Sequence, residues 1–245
     1  MHPDTSKQEW DSMSQHWIKE VREGRNANRS KLLDEPMLQA CGVVEGSRIL
    51  DCGCGEGRFC RMLVKRGAKY VLGLDLCESM IIAAKELQST EEEYKVADVQ
   101  DLSFIGDAEF DLVVSYLNQN DLPDFKANNR EVQRVLKTDG LFVVANLHPM
   151  QSANGIWHKN EAGEKDHVIL SQYFEEGERH WKMLGTRLTN YHRSLSTYID
   201  SYIDAGFIIE RILEPTPTAE SISKYRELED EIKVPTFIIY ILRKR

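Results

Sequence analysis

The sequence has 245 residues, of which 41% are hydrophobic and 29% are charged, a composition typical of globular proteins. Its length allows one large α/β domain, or two small ones, with a substantial core. The formal net charge of −9 argues against wide, nonspecific contact with nucleic acid or with an anionic membrane surface.

No apolar run approaches the roughly 20 residues needed to span a bilayer. The first residues, Met1 to Asp4, lack the charged and then apolar pattern of a signal peptide. We therefore expect a cytoplasmic protein, a monomer or homodimer, with no nucleic-acid or membrane partner. The five cysteines are an odd number without the C-x2-C spacing of zinc knuckles, so we expect reduced thiols and no metal site.

The N-terminal segment, residues 1–44, is predicted to be helical. Apolar side chains recur at spacings of three and four over residues 5–23, which is typical of an amphipathic helix. A second helical stretch begins near Asn26. These helices either pack plainly on a sheet or form a lid over a binding site, with Trp10 and Trp17 shielding the substrate. The lid is our hypothesis.

A glycine-rich turn follows the first predicted strand. Gly53, Gly55 and Gly57 stand at alternate positions between an apolar strand and a helical run. Such a turn lets backbone amides approach a ligand closely and directs the N–H groups of a helix end at it. Asp75 ends the second strand 20 residues after Gly55 (75 − 55), where a carboxylate can accept hydrogen bonds from ribose hydroxyls. The stretch predicts a site for a nucleoside-containing cofactor.

From residue 47 onward, strands alternate with helices in short repeats, which predicts a parallel sheet with helices on both faces. The predicted strands are residues 47–51, 70–75, 94–97, 110–115, 141–146, 206–213 and 235–242. Ligands of such sheets bind outside the carboxyl ends of the strands, where the strand order reverses. Gly53, Asp75, Asp98 and Ser115 all fall at these ends.

Two classes of cofactor fit a glycine turn of this kind. A dinucleotide site needs a small residue at the third position of its fingerprint, which is occupied here by Arg58. The Gly-x-Gly-x-Gly run with Asp51 two residues before it instead resembles the first motif of class I S-adenosylmethionine (SAM) methyltransferases. Asp98-Val99 resembles that family's adenine-contacting motif, and Asp111 is similar to its fourth-strand acid.

The resemblance covers residues 45–147 closely and 190–213 loosely. It implies a three-layer, Rossmann-like α/β fold with a doubly wound sheet of seven strands, the last antiparallel, together with an N-terminal helical lid and an insertion after strand 5. We expect a single domain with four parts: the lid (1–44), the SAM-binding core (45–147), a substrate-site insertion (148–194) and the rest of the sheet (195–245).

SAM is the cofactor that the resemblance implies, with S-adenosylhomocysteine as the product. The residues expected to hold it lie at the strand ends, in the glycine turn and in the lid. They are Arg29, Asp51, Gly53, Cys54, Gly55, Asp75, Leu76, Met80, Asp98, Val99 and Ser115.

The acceptor is expected to lie against the insertion and the loop after the fourth strand, since loops at strand ends carry specificity. The predicted substrate-binding residues are Trp17, Tyr116, Asn118, Trp157 and Tyr191. His148 and His192 are candidates for a general base or a substrate-orienting group, and the alternative for both is an ordinary hydrogen-bonding loop histidine. The histidines form no H-x3-H or H-E-x-x-H helical pair, so no metal is expected.

The sequence therefore predicts a methyltransferase that methylates an O or N atom of a small molecule. A non-catalytic SAM-binding or scaffold protein and an NAD(P)-dependent oxidoreductase remain alternatives. An RNA methyltransferase is a further alternative, which the acidity of the chain disfavours.

Overall fold

A computed structural model describes residues 3–25, 28–183 and 185–245 of the chain. Its strands are β1 (Arg48–Cys52), β2 (Tyr70–Asp75), β3 (Glu92–Val96), β4 (Phe110–Tyr116), β5 (Leu136–Leu147), β6 (Ile156–Lys159), β7 (Lys165–Ile169), β8 (Gly177–Met183), β9 (Thr186–His192), β10 (Phe207–Leu213) and β11 (Phe237–Lys244). The α-helices are α1 (Pro3–Arg22), α2 (Asp34–Ala40), α3 (Arg58–Lys65), α4 (Glu78–Glu86), α5 (Phe125–Val135), α6 (Pro149–Ser152), α7 (Leu195–Asp204) and α8 (Ala219–Lys224).

The main sheet has seven strands in the order β10-β11-β5-β4-β1-β2-β3. Strand β1 pairs in parallel with both β2 and β4, and β11 runs antiparallel to its two neighbours, β5 and β10. The chain moves outward from β1 in one direction and then resumes on its other side at β4. The strand order therefore reverses between β1 and β4, which opens a crevice at their carboxyl ends. The predicted seven-stranded Rossmann-like fold is confirmed.

The central strands are apolar on both sides because helices cover both faces of the sheet. In β1, Ile49 packs into the core on one face and Leu50 into the core on the other, and neither is exposed to solvent. Val71 and Leu72 of β2 divide between the two cores in the same way. This alternation follows from the two-residue period of a strand.

The N-terminal segment lies over the carboxyl-end edge of the sheet. Helix α1 matches the predicted helix over residues 5–23, whereas the second predicted helix divides into a π-helical turn (Asn28–Leu33) and α2. Its predicted start at Asn26 lies outside the described residues. Near the C-terminus of α1, Arg22 donates a 2.8 Å hydrogen bond to the carbonyl of Ala83 on α4, which anchors this end of the helix.

The segment between β5 and α7 forms two antiparallel hairpins, β6–β7 and β8–β9, that pair with no other described strand. The sequence of the insertion predicts paired strands around Gly177 and Gly185, and the second hairpin agrees with this prediction. The first has no counterpart in the sequence predictions, because its short strands carry mostly exposed side chains and lack a clear alternating pattern.

Two further boundaries differ from the sequence predictions. Strand β5 begins at Leu136, five residues before the predicted start, and passes through Asp139 in a left-handed conformation with φ of 61°. The sequence between the last two predicted strands also predicts a helix near residues 221–232, and the structure has α8 followed by a 3-10 helix (Arg226–Ile232) there. Among the described residues, no helix combines the length and the apolar character needed to cross a lipid bilayer.

Candidate active site

A cavity of about 330 Å³ lies at the carboxyl ends of β1, β2 and β4, beneath α1. Its wall includes Ser6, Lys7, Trp10, Trp17, Val21, Arg29, Gly53, Cys54, Gly55, Glu56, Arg58, Asp75, Leu76, Cys77, Met80, Tyr116, Leu117, Asn118, Asn120, Asp121, Leu122, Leu147, Trp181, Met183, Thr236 and Phe237. A smaller cavity of about 40 Å³ adjoins it toward β3 and shares Gly53, Asp75 and Asn118 with it.

The glycine turn is shaped by one close approach. Gly53 has φ of +79°, and a Cβ atom there would lie 2.3 Å from Cγ of Asn118. The amides of Gly53 and Cys54 both donate to the carbonyl of Leu74, at 2.8 and 2.9 Å. Gly55 also has a positive φ, +55°, but a Cβ atom there would meet nothing within 4 Å. The turn is therefore tight at Gly53 and open toward the cavity at Gly55.

Asp75 lies at the end of β2, between the two cavities. Its Oδ2 accepts a hydrogen bond from the Gly55 amide at 2.8 Å, and its Oδ1 accepts one from the Cys77 amide at 2.9 Å. Burial raises the pKa of this carboxyl, while both amide bonds act in the opposite direction. Each oxygen retains a second lone pair, so Asp75 can also accept hydrogen bonds from ligand hydroxyls.

Asp51 lies in β1 beneath the glycine turn and is only 1% exposed. Its Oδ2 accepts a 3.2 Å hydrogen bond from the Cys60 thiol, whereas Oδ1 has no partner among the described residues. Burial raises its pKa to about 7. Ser115 of β4 is likewise fully buried, with a hydroxyl that lacks a described partner. Neither residue belongs to the described cavity wall, so both lie in the layer below it.

The smaller cavity is lined by the residues that follow β3, including Ala97, Asp98 and Val99. Oδ1 of Asp98 accepts hydrogen bonds from the backbone amide and the side-chain amide of Gln100, both at 2.9 Å. These bonds fix the Asp98 carboxylate at the far side of Asp75 from the main cavity.

A buried cluster of charged and aromatic side chains closes one end of the larger cavity. The guanidinium carbon of Arg29 lies 4.6 Å from the ring centre of Tyr116 and 5.6 Å from that of Trp17. The Tyr116 hydroxyl donates to Asp34 Oδ1 at 2.6 Å, and both terminal nitrogens of Arg58 donate to the same carboxylate at 2.5 and 2.7 Å. The ion pair between Arg58 and Asp34 thereby fixes the Tyr116 hydroxyl, and the Tyr116 ring packs against Arg29 at the cavity.

Arg58 was considered only because it occupies the position where a dinucleotide site needs a small residue, and Asp34 was not among the predicted site residues. The two residues are 24 positions apart on different helices, and only the folding of the chain brings them into contact. No local pattern could have revealed their pairing.

Aromatic side chains from α1 and β8 enclose the rest of the chamber. Trp10 and Trp17 meet edge to face with ring centres 6.0 Å apart. Trp181 and Met183 of the second hairpin lie in the same cavity wall. Trp181 lies in the insertion that was predicted to form the acceptor pocket, but it was not among the predicted substrate-binding residues.

Asp121 is a site residue that the sequence analysis missed. It follows β4 in a 3-10 turn, lines both cavities, and accepts a 2.8 Å hydrogen bond from the side-chain amide of Asn120. Burial raises its pKa to about 7, the charges of Asp75 and Glu9 act in the same direction, and Arg193 opposes them. A carboxyl with this pKa can exchange a proton near neutral pH.

The ring nitrogens of the two histidines predicted to be catalytic contact other protein groups. Nδ1 of His148 accepts from the Met150 amide at 3.1 Å, and its Nε2 lies 3.0 Å from Oε1 of Glu214. His192 uses one ring nitrogen with the Ser152 hydroxyl and the other with the carbonyl of Tyr173, both at 2.8 Å. Neither histidine belongs to the described wall of the cavity. Their ring nitrogens are committed to protein groups because they cap α6 and join it to β9.

Two predicted substrate contacts also lie away from the cavity. Trp157 belongs to the first hairpin, where Nζ of Lys165 lies 5.2 Å from its ring centre. Tyr191 stacks with Arg193, whose guanidinium carbon is 5.1 Å from its ring centre. Neither contributes to the described wall. Tyr191 lies on the face of the second hairpin opposite to Trp181, because side chains alternate along a strand. Trp157 is remote because no residue of the first hairpin lines the described wall.

The remaining predicted site residues are brought together. Those on the larger cavity wall are Trp17, Arg29, Gly53, Cys54, Gly55, Asp75, Leu76, Met80, Tyr116 and Asn118. Asp98 and Val99 line the smaller one. Distant parts of the chain thus build a continuous pair of chambers around Asp75.

Comparison with known proteins gives a consistent picture. The family described as "Methyltransferase domain" matches residues 50–144. A solved S-adenosylmethionine dependent methyltransferase from Mesorhizobium loti is 32% identical, with a TM-score of 0.79 over 86% of this chain and 96% of that one. An uncharacterized protein of Haemophilus influenzae is 26% identical over 88% of both chains.

A ubiquinone biosynthesis O-methyltransferase of Neisseria meningitidis is 28% identical over 56% of this chain and 57% of its own length. That match is confined to about half of each protein. The structural likeness to the Mesorhizobium loti protein extends over most of both chains and supports the methyltransferase fold. The chain belongs to the S-adenosylmethionine-dependent methyltransferases, and S-adenosylmethionine is its cofactor.

Proposed function

We propose that the protein transfers the methyl group of SAM to an oxygen or nitrogen atom of a small, largely apolar acceptor. The observation that carries this proposal is the shape of the larger cavity. It runs without interruption from the glycine turn to an aromatic chamber enclosed by Trp10, Trp17 and Trp181. Methyl transfer depends mainly on alignment of donor and acceptor and on exclusion of water. Correct positioning of the two reactants can lower the activation barrier by about 7–11 kcal/mol.

The described residues fit SAM. A Cβ atom on Gly53 would fill the narrowest part of the turn, and Oδ1 of Asn118 in the same wall is buried without a described partner. Asp75 would accept hydrogen bonds from the ribose hydroxyls, and Asp98 in the smaller cavity would meet the exocyclic amine of adenine. Arg29 would bind the carboxylate of the methionine part. When bound, SAM supplies an electrophilic methyl group on a sulfonium.

The acceptor side is more apolar than the cofactor side. Trp181, Met183, Leu147 and Phe237 contribute aromatic and aliphatic surface opposite the lid tryptophans. Such a wall favours a flat or hydrophobic molecule over an extended nucleic acid or a charged peptide. The Neisseria relative, an O-methyltransferase of ubiquinone biosynthesis by its name, supports an oxygen acceptor.

Asp121 is the candidate general base. The acceptor oxygen or nitrogen would lose its proton as it takes the methyl group from bound SAM, which would leave as S-adenosylhomocysteine. The proton of the acceptor passes to a carboxylate oxygen of Asp121. A positioned base of this kind contributes typically about 10²–10⁴-fold to the rate. His148 and His192 have no part in this scheme, because their nitrogens are engaged elsewhere.

A labelled-methyl assay with phenols, catechols, amines and carboxylic acids tests the proposal, after calorimetry has established SAM binding. Transfer to an apolar acceptor, and its loss of about 100-fold or more in Asp121→Asn, is the expected result. Asp204→Asn, an exposed aspartate at the end of α7, is the matched control. SAM binding without transfer to any acceptor would instead favour a non-catalytic SAM-binding protein.

A further inference from the structure

The first hairpin of the insertion brings together three metal-ligating side chains that lie far from the active-site cavity. His158 of β6 and His167 of β7 are direct cross-strand partners, and Asp166 precedes His167. The two imidazole rings stack with centres 4.5 Å apart and planes 19° apart. Nδ1 of His167 lies 3.0 Å from Oδ2 of Asp166, and Nδ1 of His158 lies 3.8 Å from the same oxygen.

We infer that His158, Asp166 and His167 form a binding site for Zn²⁺. Bonds of about 2.0–2.2 Å in a tetrahedral site place neighbouring ligand atoms about 3.3 Å apart. The two observed nitrogen–oxygen distances lie on either side of that value, so small side-chain rotations bring both nitrogens and the carboxylate oxygen into range. Two imidazoles with one carboxylate suit Zn²⁺ better than Mg²⁺ or Ca²⁺, which prefer all-oxygen sites.

The surroundings permit a cation. The side chains of His158, Asp166 and His167 are 48%, 57% and 56% exposed, which leaves room for water to complete the coordination. Two lysines lie close by, and Asp230 offsets part of their charge. Nζ of Lys165 lies 2.9 Å from Asp230 Oδ2, and Nζ of Lys233 lies 3.6 Å from its Oδ1.

The expected consequence is a cross-link between the two strands. A two-stranded hairpin is marginally stable by itself, and β6–β7 pairs with no other described strand. An ion that binds only the folded hairpin stabilises it by mass action. The site is independent of methyl transfer, because none of its three residues lines the described cavity.

Titration of untagged protein with zinc sulfate in a calorimeter tests the site, with a cobalt(II) absorption spectrum as a second readout of tetrahedral coordination. One equivalent of Zn²⁺ should bind to the wild-type protein. His167→Ala should weaken binding by at least about tenfold, since even changes outside the ligand set cost 10–100-fold. Asp166→Asn should weaken it as well.

His180→Ala is the matched control, because this exposed histidine lies on the other hairpin and hydrogen-bonds Thr189 instead of a carboxylate. It should bind Zn²⁺ as the wild type does. The proposal is overturned by equal affinities in wild type and His167→Ala. It is equally overturned if folded wild-type protein, verified by circular dichroism, takes up no zinc at millimolar concentration.

Discussion

The SAM-binding part of the sheet and the insertion after β5 are built in opposite ways. Ile49 and Val113 of the central strands are fully buried, and helices cover both faces of the sheet there. In the insertion, Ile156, Ile169 and Phe174 are 69%, 55% and 86% exposed, and each hairpin pairs only within itself. A well-packed core thus carries the glycine turn, while the cavity beside it is closed in part by a hairpin with little core of its own.

The insertion depends on a few specific polar ties to the rest of the molecule. Glu9 of α1 accepts hydrogen bonds from the amide and the hydroxyl of Thr189 in β9, at 2.8 and 3.0 Å. Arg193 donates to the carbonyl of Gln119 at 3.1 Å and so joins the end of β9 to the loop that carries Asp121. These contacts position the lid, the second hairpin and the candidate base relative to one another.

The largest effect on SAM binding is expected at Gly53, and a glycine of the insertion provides the control. Gly53→Ala should abolish measurable SAM binding in calorimetry, because its Cβ atom would overlap Asn118 at 2.3 Å. Gly163→Ala, in the turn of the first hairpin, is the control. Gly163 has nearly the same φ, +81° against +79°, but open space around it. An alanine in the left-handed conformation costs about 1–2 kcal/mol in both variants, so only the overlap with Asn118 distinguishes them. Unchanged SAM affinity in Gly53→Ala would contradict the steric argument.

Asp75→Ala should weaken SAM binding by about 1.5–3 kcal/mol, the usual value of hydrogen bonds to a charged group. The variant also leaves the amides of Gly55 and Cys77 without their acceptor. Calorimetry against Asp204→Ala measures the difference. An affinity equal to that of the control would show that Asp75 accepts hydrogen bonds only from the backbone of the turn and does not contact the cofactor.

The pH dependence of stability should change in Asp121→Asn. Since the folded state raises the pKa of Asp121 from its ordinary value near 4 to about 7, the native state holds this proton more tightly than the unfolded chain. The favourable contribution is complete below about pH 4 and is lost as the pH rises through about 7. Asparagine does not titrate, so Asp121→Asn does not lose this part of its free energy of unfolding. Its stability relative to wild type should therefore increase from pH 5 to pH 8.

Urea denaturation at the two pH values measures this change, and Asp51, whose pKa is also about 7, contributes equally to both proteins. Identical pH dependence in the two proteins would refute a buried, protonatable Asp121. The charged neighbours that tune it are Asp75, Glu9 and Arg193.

The smallest effect is expected at the tie between the lid and the insertion. Glu9→Gln keeps one acceptor for Thr189 but removes the charge, and should cost about 1 kcal/mol or less of unfolding free energy. Glu9→Ala removes both bonds and should cost more. Proteolysis of native protein should then cut the insertion faster while SAM affinity changes little. A parallel loss of SAM affinity would show that the cofactor site and the insertion are one cooperative unit.

The order of elements and the class of cofactor could be predicted because both depend on patterns within short stretches of the sequence. The alternation of strands and helices, the spacing of Gly53 and Gly55, and the distance to Asp75 are local properties. The acceptor wall could not be predicted in the same way. His148 was expected at the methyl group because it follows β5, but Glu214, 66 residues later (214 − 148), holds its ring instead.

By itself, the sequence determined a doubly wound sheet with a SAM site at its carboxyl-end edge, since the backbone conformation of a glycine turn and the apolar character of buried strands are encoded locally. Tertiary structure alone decided which side chains enclose the acceptor and which titrate near neutral pH. Trp10, Asp121 and Trp181 meet only after α1, the loop after β4 and the second hairpin have packed together. The desolvation that raises the pKa of Asp121 arises from that packing and not from any neighbouring residue in the chain.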